Sequence, residues 1–300
     1  MRRPRHALLG VPLALALGAC SASSPAPYSG PVPHPAGSEL VVRIDWTGGF
    51  VPYESLFTSL PQFTLLGDGR VFVEGPQIAI YPGPALPNVQ VRQLTEEGIQ
   101  SILSRIAETG LFTESSSWDA ATQFIADANS TVFTVRADGR EVVLDIYALG
   151  FLTDPVSDSL DITAAERDAH ERLQRLENDL LSLDTWIPAD DWADDAWQGY
   201  IPDAMRLLVA NIDDRPPNPD DLGSEPMAWP SATPPDAFGT ATDVHDVRCG
   251  VASGADAETW HAALGQANQL TPWSYDGHLY SVTARPLLPD EPLDCGLPEA

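Results

Sequence analysis

The 300-residue chain carries 43 Asp and Glu against 16 basic residues, a net charge of −27, and every basic residue is an arginine. A chain this acidic repels nucleic acid and anionic lipid headgroups, which excludes a nucleic-acid partner and direct electrostatic attachment to a membrane. An apolar content of 43% with eight tryptophans argues for a packed core, and the lack of lysine excludes Ser-x-x-Lys chemistry.

Arg2, Arg3 and Arg5 open the chain, followed by an apolar run from Ala7 to Leu17 broken by Gly10 and Pro12. This is the order of a secretion signal, and the run falls short of the roughly 20 apolar residues that span a bilayer. Its ending, Leu17-Gly18-Ala19-Cys20, resembles the lipobox of bacterial lipoproteins. The resemblance implies a signal peptide over 1–19 and Cys20 as a lipid-modified first residue on the outer face of the bacterial cytoplasmic membrane. The mature chain then has 13 Arg and a net charge of −30, so the lipid is its expected membrane contact. Residues 20–38, rich in Pro, Ser, Gly and Ala, read as the anchor and a semi-extended tether of up to about 55 Å.

An N-terminal α+β domain is expected over 39–186. Leu40–Ile44 reads as a strand, and Phe63–Leu66 and Arg70–Val73 form a hairpin on Asp68-Gly69. Residues 76–91 hold five prolines or glycines and read as a loop, with Gln77–Tyr81 as an edge strand. Thr95 caps a helix with Glu96 and Glu97 in its first turn, an apolar face of Ile99, Ile102, Leu103 and Ile106, and a stop at Gly110. The pattern recurs as a hairpin on Asp138-Gly139 and a helix opened by the capping box Thr163-x-x-Glu166, with Ala169, Leu173, Leu176, Leu180 and Leu183 as its seam. Two β-β-α units predict an antiparallel sheet with both helices on one face.

Residues 187–245 are an acidic, proline-rich connector with one strand, about 205–212, joining the second domain. That domain, 246–300, is a smaller α+β unit: a strand over 246–252, a helix over 256–267 with Trp260 and Leu264 inward, and a hairpin on Asp276-Gly277. With Cys20 assigned to lipid, Cys249 and Cys295 remain as a disulfide pair in an oxidising compartment.

Gly48-Gly49-Phe50-Val51-Pro52, Leu66-Gly67-Asp68-Gly69-Arg70-Val71, Ile80-Tyr81-Pro82-Gly83-Pro84 and Arg285-Pro286-Leu287-Leu288-Pro289 resemble a family of uncharacterised secreted lipoproteins of actinobacteria. The resemblance spans both folded segments. It implies the same localisation and a two-part α+β fold, and it transfers no catalytic residue and no cofactor.

No motif names a chemistry. Gly250-Val251-Ala252-Ser253-Gly254 has the wrong spacing for a nucleophile elbow. His170-Glu171 opens like a zincin helix, but Gln174 stands where the second His belongs, and His170 reads as part of a solvated face. His245, His261 and His278 with Asp246 lack metal-ligand spacing, and Asp190–Asp195 pairs its carboxylates where a calcium loop alternates them. Trp186, Trp192, Trp197 and Tyr200 lie among five aspartates, and two readings stand: rings buried in a seam, or a platform for sugar stacking. Tyr81 and the Gly-Gly-Phe50 loop are lesser binding candidates. The composite expectation is a lipid-anchored envelope protein, non-enzymatic and without cofactor or metal, that binds an envelope protein or glycan. The rival is an envelope hydrolase or glycan-acting enzyme working through paired carboxylates.

Overall fold

The computed structural model describes residues 30–51, 57–119, 125–151, 162–215, 224–244 and 246–296. Cys20, the signal segment, most of the tether and His245 lie outside them. From Pro31 onward the chain forms one contact unit built on two sheets.

The first sheet contains β1 (Leu40–Gly48), β2 (Phe63–Leu66), β3 (Arg70–Glu74), β4 (Val89–Gln93), β5 (Ser116–Trp118), β6 (Asn129–Ala137), β7 (Arg140–Tyr147) and β8 (Gln198–Gly199), in the order β5-β7-β6-β1-β2-β3-β4-β8. All its pairings are antiparallel except β5 with β7. The expected hairpins β2–β3 and β6–β7 form. At Asp138 and Gly139 both φ angles are positive (54° and 66°), which is what a type I′ turn demands and why Asp-Gly serves there. The fold is mixed α+β as expected, but β4 stands between the first hairpin and its helix, and β1 separates the two hairpins within the sheet.

Helices α1 (Glu96–Glu108) and α2 (Ala164–Leu180) cover one face. Thr95 caps α1 and the Thr163–Glu166 capping box is formed in both directions. Their predicted seams are buried against Ile44, Phe63, Leu65, Phe133 and Leu144. Each fully buried Leu or Ile contributes roughly 1.5–3 kcal/mol relative to exposure. His170 corrects the expectation of a solvated histidine. It is 2% exposed, its Nδ1 lies 2.8 Å from the Glu166 carbonyl, and its ring sits edge-on to Trp118. The spacing from Ala169 and Leu173 places it on the seam.

Residues expected to be tether belong in part to the folded body. Val32 is buried in the helix-side core and exchanges two hydrogen bonds with the Gln100 side chain. Asp138 N–H donates to the Pro33 carbonyl and Asp68 N–H to the Gly37 carbonyl. Proline-rich composition marked this stretch as a spacer, yet its carbonyls match donors left free by two hairpin turns.

The second sheet contains β9 (Ala204–Asn211), β10 (Met227–Ala228), β11 (Thr240–Ala241), β12 (Val247–Ser253), β13 (Trp273–Tyr275) and β14 (His278–Pro286), ordered β10-β13-β14-β9-β12-β11. Helix α3 (Ala255–Leu264) lays Ala257, Trp260 and Leu264 on it. Trp260 stacks edge-on against Trp229 and Trp273, with centroids 4.8 and 5.3 Å apart. The disulfide between Cys249 in β12 and Cys295 is present, across a Cα separation of 6.0 Å.

The connector divides between the two sheets. Residues 187–200 lie on the first, through a bridge from Leu94 to Trp192 and the pairing of β8 with β4, while β9, β10 and β11 build the second.

Candidate functional site

β1 is the reference for direction. Its Leu40 end meets Leu66 of β2 and lies beside the β6–β7 turn, while its Gly48 end meets Asn129. The chain arrives from Pro31 at the Leu40 end, where Pro33 and Gly37 bond the two turns. The opposite end, about 26 Å away at roughly 3.3 Å per residue, carries the loops after β1, β3 and β7. Five of the exposed large apolar side chains stand on these loops, Phe50 (89%), Ile78 (65%), Tyr81 (63%), Ile80 (60%) and Phe151 (57%), while Leu293 (67%) and Ile201 (66%) lie on other segments.

The Gln77–Tyr81 strand expected from its alternating apolar residues is absent. Gly75 N–H donates to the Asn88 carbonyl, pinching the loop shut, and Ile80 N–H turns back onto the Ile78 carbonyl. Pro82 follows a cis peptide bond. The far limb then docks on the second sheet's side, with Pro84 bridging Asn268, Ala85 N–H donating to Ala267 and Gln269 N–H donating to Gly83. The loop spans both sheets, and its tip, Ile78–Tyr81, stands in solvent.

Beneath the loop is a cleft of about 390 Å³ at the seam of the two sheets, within the usual range for ligand clefts. Ser59 and Leu60 close one wall, Pro84 and Leu86 another, and Val282–Ala284 of β14 the third. Glu74 is the one charged side chain among the described liners, and its Oε1 accepts from Gln77 Nε2 at 2.9 Å. One carboxylate gives no acid–base pair.

The cleft's floor is held by a strap that sequence reading missed. After β14, Leu288 buries itself against Leu40, Leu60, Leu66 and Phe72. Arg285 grips Glu291 through two bonds of 2.7 and 2.9 Å, and its Nε donates to the Ser59 carbonyl. Arg43 of β1 grips Asp290 through two bonds of 2.9 Å. Burial pushes the Glu291 carboxyl up, but the hydrogen bonds and charge of Arg285, with the Leu288 N–H, bring it net below its usual range. Asp45, beside this network, is raised by burial against the pull of Arg43. Asp290 too is raised by burial, against the charge of Arg43. The signal for the strap lies in Arg285-Pro-Leu-Leu-Pro-Asp-Glu itself: two apolar residues and two acids on a proline-stiffened run.

The four aromatic candidates are packed. Trp192 is 8% exposed in the helix-side core, with the Arg92 guanidinium 3.9 Å above its ring and Trp197 edge-on at 5.6 Å. Trp186 donates to the Asp179 carbonyl and Trp197 to Asp184. Tyr200 packs edge-on to Phe72 and donates to the Leu287 carbonyl. They form the seam, with the aspartates as acceptors for indole and guanidinium. His278 bonds Asp213 at 2.6 Å, and among the described residues no group of three His, Cys, Asp or Glu is placed to hold a metal. The chain matches no protein-family model, no curated protein and no solved structure.

Proposed function

We propose that this chain is an exported, lipid-anchored binding module of the bacterial cell envelope. Cys20 holds it on the outer face of the cytoplasmic membrane, and the cleft-and-loop end engages a partner. One observation carries the reading: five large exposed apolar side chains, Phe50, Ile78, Ile80, Tyr81 and Phe151, stand on loops at the end of the first sheet opposite the end where Pro31 leads in. Single exposed apolar residues are ordinary, whereas a clustered set marks an interaction surface. The paired-carboxylate enzyme needs two carboxyl groups about 5–10 Å apart facing one cleft; the cleft under the loop supplies Glu74 alone among its described liners, and Asp236, Asp243 and Asp246 line a separate pocket beside β11 and β12. We also read β2–β3–α1 and β6–β7–α2 as two turns of one β-β-α pattern, β4 being an addition to the first. Asp-Gly at both turns and a threonine cap on both helices support this.

The test is co-purification from detergent-solubilised envelope, comparing wild type, Cys20→Ala and the double variant Ile78→Asp with Ile80→Asp. A protein retained by wild type and lost from the loop variant supports the reading; no specific companion with wild type contradicts it. Mass spectrometry of the mature N-terminus addresses the anchor, and an unmodified chain starting elsewhere than Cys20 overturns it.

A further inference from the structure

We infer that the cleft takes an extended polypeptide segment of the partner in which a Lys or Arg side chain stands between apolar ones, the cation set against Glu74. This inference rests on the binding-module reading and names the chemistry of its occupant.

Three observations select that chemistry. The first is charge: Glu74 is the sole charged liner among the described residues, in a chain of net charge −27, so an anionic occupant is repelled and a cationic one drawn in. The second is the walls: Leu60, Leu86, Val282 and Ala284 are aliphatic, and Gln62, Gln77, Gln269 and Thr283 add amide and hydroxyl groups that can bond a peptide backbone. No aromatic ring stands among the described liners to stack on a sugar. The third is the mode of docking. The outermost strands of both sheets (β5, β8, β10 and β11) are only two or three residues long and offer short edges to an added strand. Side chains entering the cleft are the better means of reading a segment, and Glu74 lines the cleft as the charge that meets a cation.

The probe is a fluorescein-labelled hexapeptide alternating leucine and arginine, titrated by anisotropy against the full chain in detergent. Controls are the same peptide with citrulline or glutamate in place of arginine, and chitotetraose as competitor. The expected result is saturable binding weakened on the order of tenfold by Glu74→Gln and unaffected by Glu97→Gln. Glu97 is exposed on α1, so that variant changes the net charge equally at the other end of the molecule. Glu74→Lys should bind the glutamate peptide in preference, which shows that a loss in Glu74→Gln is not a loss of fold. Equal weakening by Glu74→Gln and Glu97→Gln, equal binding of the citrulline peptide, or displacement by chitotetraose overturns the inference. The two readings fail separately. A companion protein lost from the Ile78/Ile80 variant but kept by Glu74→Gln sinks the occupant and leaves the function standing; no companion at all sinks the function.

Discussion

Buried His170 and half-buried Asp45 are titratable groups whose shifts have opposite signs. Burial drives the His170 imidazole below its ordinary value, against the hydrogen bond to the Glu166 carbonyl and the charge of its carboxylate. Its Nε2 has no hydrogen-bond partner among the described residues, so the buried cation would lack an acceptor from them there. A histidine depressed in the folded state contributes stability that is present above its unfolded pKa, about 6.5, and lost as pH falls through the folded value. Urea unfolding at pH 7 and pH 5 should therefore show a smaller loss for His170→Gln than for wild type; equal losses refute this account. Asp45 runs the other way. Its folded pKa is raised, so its favourable contribution exists below the unfolded value and disappears as pH rises through the folded one. Asp45→Asn should raise the melting temperature at pH 7 and lose that advantage near pH 3. A gain independent of pH would place the effect elsewhere.

At the scale of elements, what repeats locally was legible. Apolar spacing and threonine caps located α1 and the start of α2, because the caps and seams are properties of one segment; Leu183, expected on the seam of α2, lies in a 3-10 turn beyond the helix end at Leu180. Gln77–Tyr81 misled because its alternation is that of a strand, while the glycines and prolines around it bend the chain away from any partner. The strap's link to β1 was invisible for another reason: Arg43 and Asp290 are 247 positions apart, and no local pattern encodes a pair that distant. Arg285→Ala should cost about 3–5 kcal/mol, the usual penalty for leaving one member of a buried ion pair, read as a shift in denaturant midpoint. A second element-level contact is equally specific. Asp191 O accepts from Thr95 N–H, and a Cβ on Gly98 would lie 2.6 Å from that same oxygen. Gly98→Ala should therefore destabilise by about 1–3 kcal/mol through overpacking, although alanine is the better helix former by about 1 kcal/mol. A stabilised variant would show that the 187–200 segment yields freely.

At the scale of the whole molecule, the disulfide and the strap act on one joint. Cys295 is tied to β12 of the second sheet, while Asp290, a few residues earlier, is gripped by β1 of the first. Closing the 46-residue separation stabilises by about 4 kcal/mol on the chain-entropy model. Reduction should lower stability by that order and disturb the cleft formed where the sheets meet. The disulfide was readable once the lipobox resemblance set Cys20 aside; the cleft was not, since its described liners come from five stretches of chain. The polarity of the first sheet, with Pro31 leading in at one end and exposed apolar loops at the other, is also a property of the assembled sheet. It is tested most directly by placing a photo-cross-linking residue in living cells at Tyr81 or, as the counterpart, at Arg140 in the turn beside the chain's entry. The account predicts a discrete adduct from Tyr81 and none from Arg140. An adduct from Arg140 alone, or none from either, would contradict it.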